Sequence, residues 1–99
     1  MKELKDTITM MTSDDYKTKF MAEYWQTKIR YEKLKTFCTK IEAEDVMKFS
    51  GVPVEHIKHD CPLDMLRKQQ LLMGQLLHVY ELRAIIENID LTNVPKVEA

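Results

Sequence analysis

Apolar residues recur along two long segments of the chain with the spacing of an α-helix. In the first segment they alternate by four and three residues, which is a heptad seam with one polar interruption. The seam consists of Phe20, Tyr24, Thr27, Tyr31, Leu34, Cys38 and Ile41. Ser13, followed by two carboxylates, is a good N-cap for such a helix. The pattern predicts a first long helix over residues 13–41.

The second segment has apolar residues around more than half of a helix circumference. They are Leu63, Leu66, Leu71, Leu72, Met73, Leu76, Leu77, Val79, Tyr80, Leu82, Ile85, Ile86 and Ile89. Pro62 is a favoured first-turn residue, and the pattern predicts a second helix over residues 63–90. A two-helix monomer needs only one apolar stripe on each helix. We therefore expect this helix to pack on its own partner helix and on a neighbouring subunit as well.

The rest of the chain lacks a long period. Residues 1–12 are expected to form a flexible or extended arm, and residues 91–99 a loose tail. Residues 42–62 are expected to form a connector with short helical turns, the first of them ending at Gly51. The expected domain is thus a single helical unit over residues 13–90.

These elements predict an all-α protein. The expected architecture is an antiparallel hairpin of two long helices with a short helical connector, assembled into a homo-oligomeric bundle, with a tetramer favoured. The low content of glycine and proline, two and three residues, agrees with a helical chain.

Charge is uneven along the chain, although the total is only −1. Residues 13–41 have a net charge of +3, and residues 42–62 a net charge of −3. A basic helix beside an acidic connector suits an anionic ligand, but a solvated helix face explains the charges more simply. A net charge of +3 is small for binding duplex DNA, which usually engages many phosphates. No apolar run approaches the roughly 20 residues that a bilayer span requires. We expect neither DNA nor a membrane as partner.

The cysteines and the N-terminus bear on the cellular compartment. Cys38 and Cys61 do not make a disulfide framework. Acidic residues near the N-terminus interrupt what would be the apolar core of a signal peptide. We expect a cytoplasmic protein.

The best binding candidate is a stripe of alternating aromatic and basic residues on one side of the first helix. The stripe is Tyr24, Lys28, Tyr31 and Lys35, flanked by Trp25 and Arg30. Rings that stack on bases, between ammonium groups that meet phosphates, are what a nucleotide-binding surface needs. The same residues also suit an oligomer seam with lysines at its rim. For Tyr24 and Tyr31 we first expect packing in the core. For Trp25 we expect a packing anchor for a partner subunit.

Polar residues on the second helix allow two interpretations. They are Gln69, Gln70, Gln75, His78, Arg83, Glu87 and Asn88. They could pair with one another across a symmetry axis and set the register of an oligomer, which is the favoured interpretation. They could instead line a pocket in which Arg83 binds phosphate and Gln69 or Gln75 reads a base edge.

Metal binding and catalysis have little support. His56, His59 and Cys61, with Cys38 as a fourth ligand, have suitable side chains for zinc but match no strong zinc signature. An ordinary polar loop is the favoured interpretation, and no cofactor is expected. The chain has no P-loop, glycine-rich phosphate turn, H-E-x-x-H motif or nucleophile elbow. We expect that the protein is not an enzyme.

Both helices resemble those of small helical-hairpin proteins of bacteriophages. On the second helix the resemblance comes from Gln69-x-x-x-Met73, Leu77, Tyr80, Leu82 and Arg83-Ala84-Ile85, and on the first from Glu32-Lys33-Leu34-x-x-Phe37. Such phage proteins include the viral cyclic-nucleotide sponges that counter CBASS immunity.

The resemblance implies an oligomeric phage protein in the host bacterial cytoplasm. It would bind a cyclic oligonucleotide messenger, such as a 3′,3′-linked cyclic dinucleotide, without cleaving it. No ligand-reading motif transfers residue by residue, so the candidate site residues come from the chemistry above. The alternative is a helical protein–protein interaction module, or a minor structural or regulatory protein of a phage.

Overall fold

Four helical segments follow one another in the computed structural model, which describes residues 3–92. A 3-10 helix, Leu4–Thr7, leads into α1, Ile8–Met11. The long helices are α2, Tyr16–Phe49, and α3, Leu63–Ile86. No strand occurs within the described range. The predicted all-α class is confirmed.

Helix α2 starts three residues later than the pattern predicts, because Asp15 rather than Ser13 caps it. The Asp15 carboxylate accepts hydrogen bonds from the backbone N–H of Thr18 at 3.1 Å and from its hydroxyl at 2.8 Å. Both bonds lower the pKa of Asp15, and the bond from the Thr18 hydroxyl has the larger effect. Ser13 supports the cap, since its hydroxyl accepts from the Asp15 backbone N–H at 3.1 Å.

Helix α2 also ends later, at Phe49 instead of residue 41. Residues 42–49 contain neither glycine nor proline, so the helix continues until Gly51 adopts a φ of +78°. The Gly51 N–H then bonds the Lys48 carbonyl at 3.0 Å, and the Val52 N–H bonds the Met47 carbonyl at 2.9 Å. This pair of bonds is a Schellman motif. The short turn expected in the connector is therefore the last part of α2.

Helices α2 and α3 pack side by side and run in opposite directions. Tyr16 contacts Glu87 near one end of the pair, and Glu42 contacts Arg67 near the other. Between these points Tyr24 bonds Glu81. A buried cluster lies at the end near Tyr16, with Trp25, Tyr80 and Leu91 packed against it; its members are Met10, Phe20, Met21, Ala22, Ala84 and Ile89.

In the described part of the N-terminal segment, residues 4–11 are helical where an arm was expected. Thr7 and Met10 are buried, and Met10 belongs to the core cluster. Gln26 on α2 donates from Nε2 to the Thr7 hydroxyl at 3.0 Å. The segment escapes a sequence pattern because it consists of two single turns, too short to show a helical period.

Helix α3 ends at Ile86, four residues before the predicted end. Asn88 adopts a φ of +57°, and the Ile89 N–H turns back to the Ala84 carbonyl at 2.8 Å. This second Schellman geometry returns Ile89 to the core. Leu91 is half-buried, and the rest of the predicted tail, residues 93–99, lies outside the described residues.

The connector is not helical between residues 52 and 62, and Glu44 ties it to α2. The buried Glu44 carboxylate accepts from Lys48 Nζ at 2.9 Å and from the Ile57 N–H at 3.1 Å, and it meets His56 Nδ1 at 2.7 Å. Lys48, then the Ile57 N–H, then His56 lower the pKa of Glu44 from 4.5 to about 2.

Neither long helix has a stretch of apolar residues sufficient to cross a bilayer, in the part of the chain that the structure describes.

Replacing Glu44 with glutamine should destabilise the fold at neutral pH. Because the pKa of Glu44 is about 2 in the folded protein and 4.5 ordinarily, its contribution is complete above pH 4.5 and disappears as pH falls toward 2. Urea unfolding as a function of pH checks this: the stability difference between wild type and E44Q should shrink across that window. The exposed neighbour Asp45→Asn is the control and should follow the wild type. A constant difference between wild type and E44Q would contradict the anchoring role.

Candidate functional site

The first half of the predicted stripe faces α3. Tyr24 is 4% exposed, and its hydroxyl donates to Glu81 Oε2 at 3.1 Å. Lys28 Nζ donates to the same hydroxyl at 3.4 Å and lies 5.8 Å from the centre of the Tyr24 ring. The pKa of Tyr24 is raised, and burial of the side chain is the largest cause. Tyr24 and Lys28 therefore form a polar chain to Glu81 within the helix pair.

Trp25 contacts the turn that follows α3. Its indole N–H donates to the Leu91 carbonyl at 3.0 Å, and its ring meets the Tyr24 ring edge-on with centroids 5.3 Å apart. Lys28 Nζ lies 5.9 Å from the indole centre. The half-buried indole thus packs between α2 and the turn that follows α3.

Arg83 lies at the end of the helix pair near the start of α2. Its Nε donates to Glu87 Oε2 at 3.2 Å, and Nη2 donates to the Tyr16 hydroxyl at 2.6 Å. The guanidinium carbon is 4.7 Å from the centre of the Phe20 ring. Tyr16 in turn donates to Glu87 Oε1 at 2.8 Å, and this bond raises the pKa of Tyr16. Arg83 is therefore held by three neighbours from both helices.

Arg30 and Lys35 are exposed on α2. Neither side chain forms a hydrogen bond or an ion pair with any residue in the range 3–92. Their charges are open to an anion from solution.

Of the predicted site residues, Tyr31 and Gln75 are the pair that shares a groove in the described part of the chain. They line an open groove of about 790 Å³ between the ring of Tyr31 on α2 and one face of α3. The complete lining is Tyr31, Arg67, Gln70, Leu71, Gly74, Gln75, His78 and Val79. The seven α3 residues follow one another by alternate steps of three and one, so they share a face of the helix.

Gly74 lets the Tyr31 ring lie against the backbone of α3. A Cβ atom at Gly74 would stand 3.2 Å from Tyr31 Cε1, closer than such atoms usually come. Glycine inside a helix destabilises it by roughly 0.5–1 kcal/mol relative to alanine, so its presence here has a packing reason. Tyr31 and Gly74 are therefore in close contact where they line the groove.

Three groups in the groove have unused hydrogen-bonding capacity. The Tyr31 hydroxyl, the Gln75 amide and the His78 imidazole have no hydrogen-bond partner among residues 3–92. Arg67, in contrast, is ion-paired with Glu42 and donates to Gln70 Oε1 at 3.4 Å. The groove therefore combines apolar walls with open donors and acceptors, which is the usual composition of a small-molecule site.

Sequence reasoning missed Gly74 and Arg67. The signal for Gly74 was present, since a lone glycine in a strong helical pattern indicates close approach of another group. No sequence signal pointed to Arg67, because its place depends on which residues of α2 face it.

Part of α3 remains uncovered beside the groove. Met65, Leu72, Val79 and Ile86 repeat every seven residues and are between 47% and 80% exposed. We call these four residues the heptad stripe. Val79 belongs to both the stripe and the groove lining, so the two surfaces are continuous.

The histidines and cysteines do not assemble into a metal site within residues 3–92. No group of three histidine, cysteine, aspartate or glutamate side chains is placed to hold an ion there. Cys38 is buried and Cys61 is exposed, while His59 Nδ1 meets the Cys61 carbonyl at 2.7 Å.

A family model described as Sequestin matches residues 14–86. The matched segment contains all of α2 and α3, and therefore every residue that lines the groove. Comparisons with curated proteins and with solved structures find no match.

Replacing Arg83 with glutamine should lower the melting temperature, since it removes the contacts with Glu87, Tyr16 and Phe20. Lys35→Gln removes a positive charge from an exposed side chain and should leave the melting temperature unchanged. Thermal unfolding by circular dichroism checks both variants. Equal melting temperatures for the two would contradict a packing role for Arg83.

Proposed function

Because the chain belongs to the Sequestin family, we propose that it is an immune-evasion sponge of phage origin, acting in the host bacterial cytoplasm. It binds a cyclic oligonucleotide second messenger, such as a 3′,3′-linked cyclic dinucleotide, and holds it without cleavage. The observation behind this proposal is the groove in which Tyr31, Gln75 and His78 present open hydrogen-bonding groups. Sequestration requires tight binding alone, since a bound messenger no longer reaches its receptor.

The dimensions of the groove support a nucleotide ligand. Small-molecule sites usually measure about 300–1,000 Å³, and this groove of about 790 Å³ falls within that range. Tyr31 supplies a ring for stacking, and Leu71 and Val79 supply apolar walls. Base–aromatic stacking contributes roughly 1–3 kcal/mol per base.

The charge of α2 supports an anionic ligand. Residues 13–41 have a net charge of +3, and the side chains of Arg30 and Lys35 have no partner in the described chain. Lys35 follows Tyr31 by four residues, one helical turn away. Positive charges beside the groove would attract phosphates and raise the association rate.

Self-association would cover the heptad stripe. Exposed apolar residues that recur every seven positions are typical of a helix that packs against another helix. We favour a tetramer of antiparallel hairpins joined through α3. A cyclic dinucleotide with identical halves has two-fold symmetry, so an interface that presents Val79 and the groove twice would suit it.

A helical protein–protein interaction module is the second candidate. Apolar side chains are also exposed away from α3, near the end of α2, where Phe49 is 97% exposed and Val46 66%. A partner helix could bind there. In that case nucleotides would not bind the protein at all.

Nucleotide binding can be tested by a thermal-shift panel of cyclic di- and trinucleotides on the purified protein. We expect one compound to raise the melting temperature strongly, and Gln75→Ala to weaken its binding about three- to tenfold, the effect of one neutral hydrogen bond. Gln69→Ala is the control, because Gln69 is exposed on the same helix outside the groove. A flat panel would contradict the proposal and favour the interaction module.

Oligomerisation can be tested with Leu72→Glu, which places a charge in the heptad stripe. We expect the wild type to sediment as an oligomer and this variant to sediment at the mass of one chain. Phe49→Glu, an equal change at a fully exposed position outside the stripe, should keep the wild-type mass. A wild type that sediments as a single chain would contradict assembly through α3.

A further inference from the structure

The groove differs from a general nucleotide surface in the hydrogen-bonding groups along its lining. Gln75 has an amide that donates and accepts side by side, and it has no partner within residues 3–92. Arg67 has a fork of donors, but Glu42 is ion-paired with it. No aspartate or glutamate lines the described groove. These three facts distinguish between the bases.

We propose that the groove takes an adenine base, read by the Gln75 side chain, so that the preferred messenger contains adenine. This inference rests on the proposed function and names the base that the same site prefers. Adenine presents the N6 amino group as donor next to the N7 acceptor, and a glutamine amide meets both at once. An amide with no other partner is the complement of that edge.

Guanine presents a different edge, which the groove matches less well. Its O6 and N7 are both acceptors and require two donors in a fork, which an arginine supplies. The arginine of the groove already donates to Gln70 Oε1 at 3.4 Å and is paired with Glu42. The opposite edge of guanine presents N–H donors that a carboxylate accepts best, and no carboxylate lines the described groove.

The base enters between Tyr31 and the apolar residues of α3. The Tyr31 ring lies on Gly74, and Leu71 and Val79 form the other walls. Because Glu42 neutralises Arg67, the groove suits the uncharged base and ribose rather than a phosphate. The exposed Lys35 side chain lies one turn from Tyr31 and has no partner in the described chain, so it is available to the phosphate outside the groove.

Gly74 sets the position of the ring. A methyl group there would stand 3.2 Å from Tyr31 Cε1 and force the ring to shift by a few tenths of an ångström. The helix itself would gain from alanine, since glycine is the poorer helix former. Stability and affinity should therefore change in opposite directions in Gly74→Ala.

Isothermal titration of the full chain with cyclic di-AMP and cyclic di-GMP tests the proposal. We expect cyclic di-AMP to bind about tenfold more tightly, the discrimination typical of one bidentate amide–adenine pair. Gln75→Glu, which cannot donate, should remove this preference. Gln69→Glu adds the same charge to the same helix outside the groove and should keep it. Gly74→Ala should weaken both ligands while the melting temperature holds or rises.

Each result that contradicts the proposal has a different meaning. Binding of cyclic di-GMP equal to or tighter than that of cyclic di-AMP would overturn the adenine assignment and leave the sponge intact. A preference that survives Gln75→Glu would overturn Gln75 as the reader. Unchanged affinity in Gly74→Ala would place the site elsewhere. Absence of binding by every cyclic nucleotide would contradict the proposed function itself.

Discussion

Two long helices packed side by side can bury only one stripe of each, and this constraint shapes the rest of the protein. The apolar seam of α2 runs from Phe20 to Ile41, and both of these residues are buried. Helix α3 has apolar residues on more of its circumference than one contact can cover. Leu77 and Ala84 are buried, whereas the heptad stripe faces outward. The groove lies where the covered and uncovered faces of α3 meet, which explains its mixture of apolar walls and open polar groups.

The helical pattern was sufficient to predict the fold class and the buried seam, but not the ends of the helices. Both long helices end where one residue takes a left-handed conformation, Gly51 after α2 and Asn88 after α3. A glycine can have that role, but the apolar seam stops at Ile41, so its periodicity did not extend the predicted helix to Gly51. The N-terminal turns were missed because Met10 is buried by tertiary packing, which a short segment does not reveal.

The candidate site was predictable only in part, because a stripe on one helix does not show what lies opposite it. Tyr24 and Tyr31 are seven residues apart and share one side of α2. Tyr24 meets the Glu81 side chain and is buried, whereas Tyr31 meets the bare backbone of Gly74 and borders a groove. The residue across the contact therefore decides which tyrosine packs and which faces open space. Gln75 was among the predicted binding residues, but its neighbours in the groove follow from the pairing of the helices.

The proposed sponge depends on one property above all, which is that the ligand is held and remains intact. The most direct measurement mixes the protein with an equal amount of a cyclic dinucleotide that it binds, removes the protein by filtration, and quantifies the ligand by mass spectrometry before and after heating the retained protein. Sequestration predicts that the ligand disappears from the filtrate and returns in full, with its original mass, once heat unfolds the protein. A linear or otherwise altered product would show an enzyme, and a ligand that stays in the filtrate would show that the protein does not sequester it.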